Sequence, residues 1–186
     1  MKARLLIVNG RPASGKSTLA PLLCSRLRLP LIGKDTIKEA MGDALGTRSV
    51  DDSVILGRAS YPVLYALVRA QLLLGVSVAM EAPFSSPASD RDLGSLTRGA
   101  VAGMVFCEAP AEVLQARARA RAAGRHAVHR ELDRLARAGT DGPASPFRLP
   151  DLAMPVLRVD ARDGYEPPLE GILRWIRTTL SLPDPG

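Results

Sequence analysis

Residues 10–17 read Gly10-Arg-Pro-Ala-Ser-Gly15-Lys16-Ser17, and this stretch decides the fold of the chain. It matches the pattern G-x-x-x-x-G-K-[ST] and lies between an apolar, β-prone run at residues 4–8 and a segment with leucines at helical spacing. When a strand leads through such a turn into a helix, backbone N–H groups of the turn and of the helix N-terminus point inward at phosphate oxygens. The stretch therefore predicts a nucleotide-phosphate site.

The residues of this loop have separate predicted roles. Gly10 and Gly15 allow the backbone to turn and to approach a ligand closely. Lys16 places a positive charge on the β- and γ-phosphates, and Ser17 offers a hydroxyl to Mg²⁺. The alternative is a glycine-rich helix cap with an accidental lysine. We predict that the nucleotide is contacted by Gly10, Ala13, Ser14, Gly15, Lys16, Ser17 and Thr18.

The composition of the 186 residues is that of a globular protein, with 46% hydrophobic and 24% charged residues. The apolar stretch at residues 72–80, which is interrupted by Ser77, is too short for a bilayer span of about 20 residues, and we expect no membrane association. The N-terminal apolar run is also too short for a secretory signal. Two cysteines in unrelated contexts form no disulfide framework, so we expect a cytoplasmic protein.

The positive charge is concentrated in one part of the chain. The net charge is +6, and seven arginines fall within residues 117–137, where only two acids occur. Guanidinium groups suit bidentate phosphate recognition, so this cluster favours a local polyanion site over an extended duplex-binding surface. The alternative is that the arginine and alanine enrichment reflects codon bias.

Short apolar strands alternate with helical segments along the chain. We expect strands at residues 4–8, 29–32, 76–80, 100–107 and 156–159. We expect the main helices at residues 17–29, 34–44, 52–74, 110–122, 129–138 and 167–180. This alternation predicts an α/β fold with a five-stranded parallel sheet and helices on both faces. A single domain is expected over residues 1–186, with a small arginine-rich helical lid at about residues 117–139.

Two stretches carry a resemblance to a known family. Residues 8–18 read VNGRPASGKST and residues 31–39 read LIGKDTIKE; together they resemble the small P-loop kinases of the AAA_33 type, which are related to chloramphenicol phosphotransferase, zeta toxins and nucleoside-monophosphate-kinase-like proteins. The GRHAVH run at residues 124–129 resembles a lid signature of these kinases, and the VDARDGY run at residues 159–165 resembles their sequence after the last strand. The resemblance implies a P-loop NTPase αβα sandwich, a mobile lid and an ATP-dependent phosphotransferase.

Asp35 is the predicted catalytic base. It follows the second expected strand, which we expect to end beside the phosphate-binding loop. A kinase that acts on a hydroxyl group benefits from a carboxylate within hydrogen-bond reach of that group, and the resemblance implies this role for the aspartate at this position. The alternative is that Asp35 or Thr36 caps the following helix, because Thr36-x-x-Glu39 fits a capping box.

Glu81 is a candidate metal ligand together with Ser17. It follows the third expected strand, which we expect to lie beside the strand that carries the loop. From there its carboxylate could hold the hydration shell of Mg²⁺ or the substrate. A helix cap or a salt bridge is the equally weighted alternative.

The arginine cluster supplies the remaining catalytic candidates. Arg117 and Arg121 are four residues apart and share a helix face, whereas Arg119 is expected to point elsewhere. Arg125 lies past Gly124, on the expected lid. Guanidinium groups in these positions would stabilise charge on the phosphoryl group in transfer. Solvent-exposed charge on an alanine-rich helix is the alternative.

These observations favour a kinase that transfers the γ-phosphoryl group of ATP, with Mg²⁺, to a hydroxyl group of a small molecule of antibiotic, sugar or nucleoside type. Two alternatives stay open, namely a polynucleotide end kinase and a nucleotide-binding regulator or toxin-like protein with little turnover. Nucleic acid is the less favoured partner because a chain of this length has no separate nucleic-acid module. The expected walls of the acceptor site include Met41, Tyr61, Tyr65, Phe84 and Phe147.

Overall fold

The computed structural model describes residues 2–47, 49–121, 124–129 and 147–183. Most of the expected helix at residues 129–138 lies outside the described residues, and so does the larger part of the expected lid. Among the described residues, no helix combines the length and the apolar character that a membrane span requires.

The core of the molecule is a parallel sheet of five strands. They are β1 (Arg4–Gly10), β2 (Leu31–Gly33), β3 (Val78–Glu81), β4 (Val101–Glu108) and β5 (Val156–Asp160), and they lie side by side in the order β2-β3-β1-β4-β5. The expected parallel α/β sheet is thereby confirmed. β3 lies between β2 and β1, and the end of β2 still lines the same cavity as the loop after β1.

Helices cover both faces of this sheet. They are α1 (Lys16–Leu27), α2 (Lys34–Leu45), α3 (Val50–Leu73), α4 (Asp90–Arg98), α5 (Ala111–Arg121) and α6 (Leu169–Leu180), and a short 3₁₀ turn spans Ala127–His129. Side chains of β1 alternate between the faces, as the pleat requires. Leu6 and Val8 pack with α1 and α6, whereas Leu5 and Ile7 pack with α3 and α4. The sheet is therefore buried on both sides, which explains why its strands read as continuous apolar runs.

The long helix α3 sets one wall of the space above the sheet. It starts at a capping box in which the Ser49 side chain accepts from the backbone N–H of Asp52, and the Asp52 side chain accepts from the backbone N–H of Ser49. From there α3 runs for 24 residues beside α2. The carboxyl ends of the strands, the start of α2 and the first half of α3 consequently face a common space.

Candidate active site

The loop between β1 and α1 has the shape of a phosphate cradle. A Cβ atom at Gly10 would lie 2.4 Å from the carbonyl oxygen of Cys107 and 2.4 Å from the hydroxyl of Ser14, so only glycine fits there. The hydroxyl of Ser14 is buried and has no hydrogen-bond partner among the described residues. A buried polar atom without a partner is costly, and an oxygen of a bound phosphate would supply the missing partner. The cradle therefore fits a nucleotide phosphate.

Lys16, Ser17 and Glu81 form a compact polar group at the end of this loop. The ammonium of Lys16 lies 3.4 Å from the carboxylate of Glu81, and both side chains are less than a tenth exposed. The hydroxyl of Ser17 donates to the same carboxylate oxygen at 3.3 Å. Glu81 reaches this place because β3 pairs directly with β1, where Glu81 lies opposite Val8. The expectation that the third strand lies beside the strand that carries the loop is confirmed.

The donor set of Ser17 and Glu81 suits a magnesium ion. Mg²⁺ is commonly held by one or two protein oxygens together with substrate phosphates and water. Within the described part of the chain, no group of three or more acidic, histidine or cysteine side chains forms a ready metal cage. Burial raises the pKa of the Glu81 carboxyl, and Lys16 partly offsets that effect while Asp35 adds to it. A divalent cation would favour the ionised form of this carboxylate.

Asn9 is a structural residue of the site that the sequence did not reveal. Its side chain is fully buried and makes three hydrogen bonds with neighbouring backbone. The amide of Asn9 donates to the carbonyl of Phe84 at 3.0 Å and accepts from the N–H groups of Gly10 and Phe84 at 2.7 and 2.9 Å. It thus fastens the phosphate cradle to the loop after β3. The available signal was a polar residue near the end of an otherwise apolar buried strand.

Asp35 lies in the first turn of α2 and faces the same space as Lys16. Gly33 is the N-cap residue of α2, and no side chain caps this helix, so the capping alternative for Asp35 and Thr36 is wrong. The carboxylate of Asp35 lies 3.3 Å from the ammonium of Lys34 and 4.0 Å from the guanidinium of Arg125. Burial acts to raise the pKa of Asp35, but the nearby positive charges, led by Lys34, lower it below its usual value of 3.8. Asp35 is therefore an ionised acceptor at neutral pH.

The arginines of α5 divide into two groups, and among them Arg121 lies where the sequence placed it. Arg117 donates to the carbonyls of Ala161 and Arg162 at 2.6 and 3.0 Å, so it ties α5 to the loop after β5 and is not part of the cavity wall. Arg121 lines the cavity as expected, and so does Arg119, for which the sequence indicated another direction. The placement of Arg117 follows from the parallel pairing of β4 and β5, which brings the two loops together.

A cavity of about 1420 Å³ lies over the carboxyl ends of the strands. Lys16, Asp35 and Arg125 all line it, and so do Tyr61 and Phe147 among the expected acceptor walls. The other expected walls do not. Tyr65 and Phe84 are buried in the core, and Met41 is not a lining residue. A single drug-sized ligand fills roughly 300–1000 Å³, so this cavity has room for a nucleotide and a second substrate together.

Residues 124–129, named here the lid segment, are docked on α2. His129 pairs with Glu39 at 2.8 Å, and His126 pairs with Asp43 at 2.9 Å. Burial lowers the pKa of His129 despite the opposing effect of the Glu39 carboxylate. The side chain of Val128 is fully buried. The two histidines thus hold the lid segment on α2, and this docking places Arg125 near Asp35.

The strand order, the phosphate cradle and the cavity define the class of this protein as a P-loop NTPase αβα sandwich of the kinase-like kind. Residues 5–139 match the model of the AAA_33 family, which is described as an AAA domain. The chain belongs to this family of small P-loop kinases.

Similar proteins agree with this placement. The chain is 34% identical over 131 residues to the uncharacterized protein Rv2004c of Mycobacterium tuberculosis, a match that covers 65% of the chain but only 26% of that relative. A "putative kinase" from Chloroflexus aurantiacus is 31% identical, with a TM-score of 0.78 over 97% of this chain and 100% of the other. The APS kinase CysC of Mycobacterium tuberculosis, solved with AMPPNP and APS, shares the fold at 20% identity, with a TM-score of 0.57 over 97% and 98% of the two chains.

Proposed function

We propose that this chain is an ATP-dependent kinase that transfers the γ-phosphoryl group of ATP to a hydroxyl group of a small molecule. One observation carries the proposal. The ionised carboxylate of Asp35 faces the same cavity as Lys16 and the phosphate cradle, and this cavity is large enough for two substrates. A phosphate site with an acceptor carboxylate in the same cavity is the arrangement that phosphoryl transfer to a hydroxyl needs.

The donor nucleotide would be held by the loop between β1 and α1. Backbone N–H groups of residues 13–18 and the N-terminus of α1 would surround the phosphates. Lys16 would hold the β- and γ-phosphates, and the buried hydroxyl of Ser14 would gain its missing partner. Ser17 and Glu81 would hold Mg²⁺, which, when bound, would neutralise charge on the phosphates. The similarity to a kinase solved with AMPPNP supports ATP as the nucleotide.

Asp35 would orient the acceptor and receive its proton. As the acceptor oxygen bonds to the γ-phosphorus, the bond from that phosphorus to the oxygen shared with the β-phosphate breaks, and ADP is released. The hydroxyl proton passes to Asp35 and then to solvent. Arg121 and Arg125 would stabilise charge on the transferred group. The docked lid segment would limit access of water, a competing acceptor.

The cysteines support a cytoplasmic location for this activity, which we also propose. Cys24 and Cys107 are both free thiols. Burial raises the pKa of each to about 12, so they stay protonated and unreactive. Buried free thiols are usual in reducing compartments.

A phosphorylation screen tests the proposed function. The protein is incubated with Mg²⁺, ATP and a pool of hydroxyl-bearing metabolites, antibiotics, nucleosides and short oligonucleotides, and products are detected by mass spectrometry. We expect one compound to gain a phosphoryl group, and Asp35→Asn to lower the rate by about 10²- to 10⁴-fold. Asp151→Asn is the matched control, because Asp151 is exposed and lies outside the cavity.

The other results decide between the alternatives. Phosphorylation of oligonucleotides alone, with binding that weakens steeply as salt increases, would replace the small molecule by a polynucleotide end. Tight ATP binding without any product from the pool would favour a nucleotide-binding regulator. Equal rates for the wild type and Asp35→Asn would retain the kinase and remove Asp35 from its catalytic role.

A further inference from the structure

The wall of the cavity built by α2, α3 and the lid segment has an excess of positive charge. Its described cationic side chains are Lys34, Lys38, Arg58 and Arg125, and its described carboxylates are Asp35 and Glu39. Glu39 is already paired with His129. The single carboxylate of Asp35 is shared by Lys34 and Arg125. Leaving aside Lys38, which bonds to Ser53, the three cations Lys34, Arg58 and Arg125 still outnumber this carboxylate.

Lys34 and Arg58 are both neighbours of Tyr61 on the cavity wall. The ammonium of Lys34 is 5.7 Å from the centre of the Tyr61 ring, and its side chain is only 13% exposed. Arg58 and Tyr61 are three residues apart on α3 and therefore share the helix face that lines the cavity. Arg58 has no ion-pair or hydrogen-bond partner among the described residues. The hydroxyl of Tyr61 donates to the carbonyl of Pro83 at 3.1 Å, which fixes the position of the ring.

The proposed reaction leaves these two cations without a role. The nucleotide phosphates are assigned to Lys16 and to the backbone of the first loop, and the transferred group is assigned to Arg121 and Arg125. Lys34 is the first residue of α2 and Arg58 lies on α3, so both belong to the wall of the cavity that also carries Asp35. Lys34 shares its carboxylate partner Asp35 with Arg125, and Arg58 is exposed at the cavity, so both cations can take an anion as an additional partner.

We propose that the acceptor carries an anionic group, a phosphate monoester or a carboxylate, in addition to the hydroxyl that is phosphorylated. Lys34 and Arg58 bind this group while the hydroxyl faces Asp35. This inference rests on the proposed function and narrows its substrate class to small anionic alcohols. The excess positive charge also disfavours neutral acceptors, because these would leave Arg58 without a partner and would give Lys34 no partner beyond Asp35.

Anion binding with the nucleotide site filled tests this proposal without knowledge of the acceptor. The protein is saturated with Mg²⁺ and AMPPNP, and inorganic phosphate is then titrated and followed by calorimetry. We expect one saturable phosphate site, which Arg58→Gln and Lys34→Gln each weaken at least about tenfold, as the loss of a charge-assisted hydrogen bond implies. Arg58→Lys should retain most of the affinity. Arg69→Gln is the control, because Arg69 is on the same helix, outside the cavity, and bonded to Ser95.

Each outcome supports or overturns a defined statement. The same titration with acetate in place of phosphate shows whether the site prefers a carboxylate or a phosphate. Absence of saturable anion binding, or equal binding by the wild type and Arg58→Gln, would overturn the anionic-acceptor class while nucleotide binding still supports the kinase. Failure of AMPPNP itself to bind would instead overturn the proposed function. A 5′-hydroxyl trinucleotide that displaces phosphate far more tightly than ribose 5-phosphate does would overturn the small-molecule class.

Discussion

Replacing Gly42 by alanine should release the lid segment from α2 without unfolding the protein. Gly42 lies inside α2, directly beneath the buried Val128. A Cβ atom there would lie 2.8 and 3.0 Å from two side-chain carbons of Val128 and 3.1 Å from the hydroxyl of Thr47. Because carbon atoms do not pack at 2.8 Å, the docked lid segment must move. This movement would break the hydrogen bond from the Ser53 hydroxyl to the carbonyl of Val128.

Two effects of the added methyl group must be separated to find the size of the shift in the docking equilibrium of the lid segment. Overpacking by one methyl group costs about 1–3 kcal/mol, and this cost applies only when the lid segment is docked. Alanine also gains about 0.5–1 kcal/mol over glycine inside a helix, but this gain is present whether or not the segment is docked. The docking equilibrium should therefore shift toward the open state by about 5- to 150-fold. The free energy of global unfolding should stay the same or increase slightly.

Hydrogen–deuterium exchange read by mass spectrometry can separate these effects. In Gly42→Ala, we expect the peptide that covers residues 124–129 to exchange faster by the factor given above, and trypsin to cleave faster after Arg125. Urea unfolding measures the global stability in parallel. Gly124→Ala is the matched control, because nothing lies within 4 Å of the Cβ position at Gly124.

A double variant tests whether the contact with Val128 is the cause. Val128→Ala removes the Cγ2 methyl group that would lie at 2.8 Å and leaves the Cβ atom at 3.0 Å, so adding Gly42→Ala to it should have a clearly smaller further effect on exchange than Gly42→Ala has in the wild type. Unchanged exchange of the lid segment in Gly42→Ala would refute the reasoning. A loss of several kcal/mol in global stability with a still-protected lid segment would refute it as well.

Three further predictions concern the phosphate cradle. Gly10→Ala should weaken nucleotide binding more than about tenfold in calorimetry, because its Cβ would lie 2.4 Å from the carbonyl of Cys107; an unchanged affinity would contradict the packing of the loop. Asn9→Leu should destabilise the protein by about 3 kcal/mol in urea unfolding, since the backbone groups of Gly10 and Phe84 lose their buried partners; a loss under 1 kcal/mol would contradict it. The raised pKa of Glu81 means that the folded state binds a proton more tightly than the unfolded state. The free energy of unfolding of the nucleotide-free protein should therefore fall, relative to that of Glu81→Gln, as the pH rises from 4.5 toward 7. Urea unfolding at several pH values measures this difference, and a difference that stays constant over the range would contradict the assigned burial.

Local chemistry allowed the sequence alone to predict the phosphate cradle and the sheet. The spacing of Gly10, Gly15, Lys16 and Ser17 determines a turn and a helix start, whatever the rest of the chain does. Apolar runs of strand length that alternate with helical segments determine a parallel sheet covered on both faces. Glu81 could also be placed beside the loop, because it ends a buried strand and the carboxyl ends of parallel strands share one edge.

Tertiary structure alone decided which charged side chains meet. Helix spacing favoured Arg117 over Arg119 for the site, yet the loop after β5 binds Arg117 and leaves Arg119 in the cavity wall. Asn9 gained its role only when the loop after β3 came within hydrogen-bond distance. The pairing of the lid segment with α2 joins residues about 90 positions apart, and no local periodicity encodes such a contact. Helix and strand patterns depend on neighbours in the chain, whereas the charge balance of the cavity depends on which distant elements the sheet order brings together.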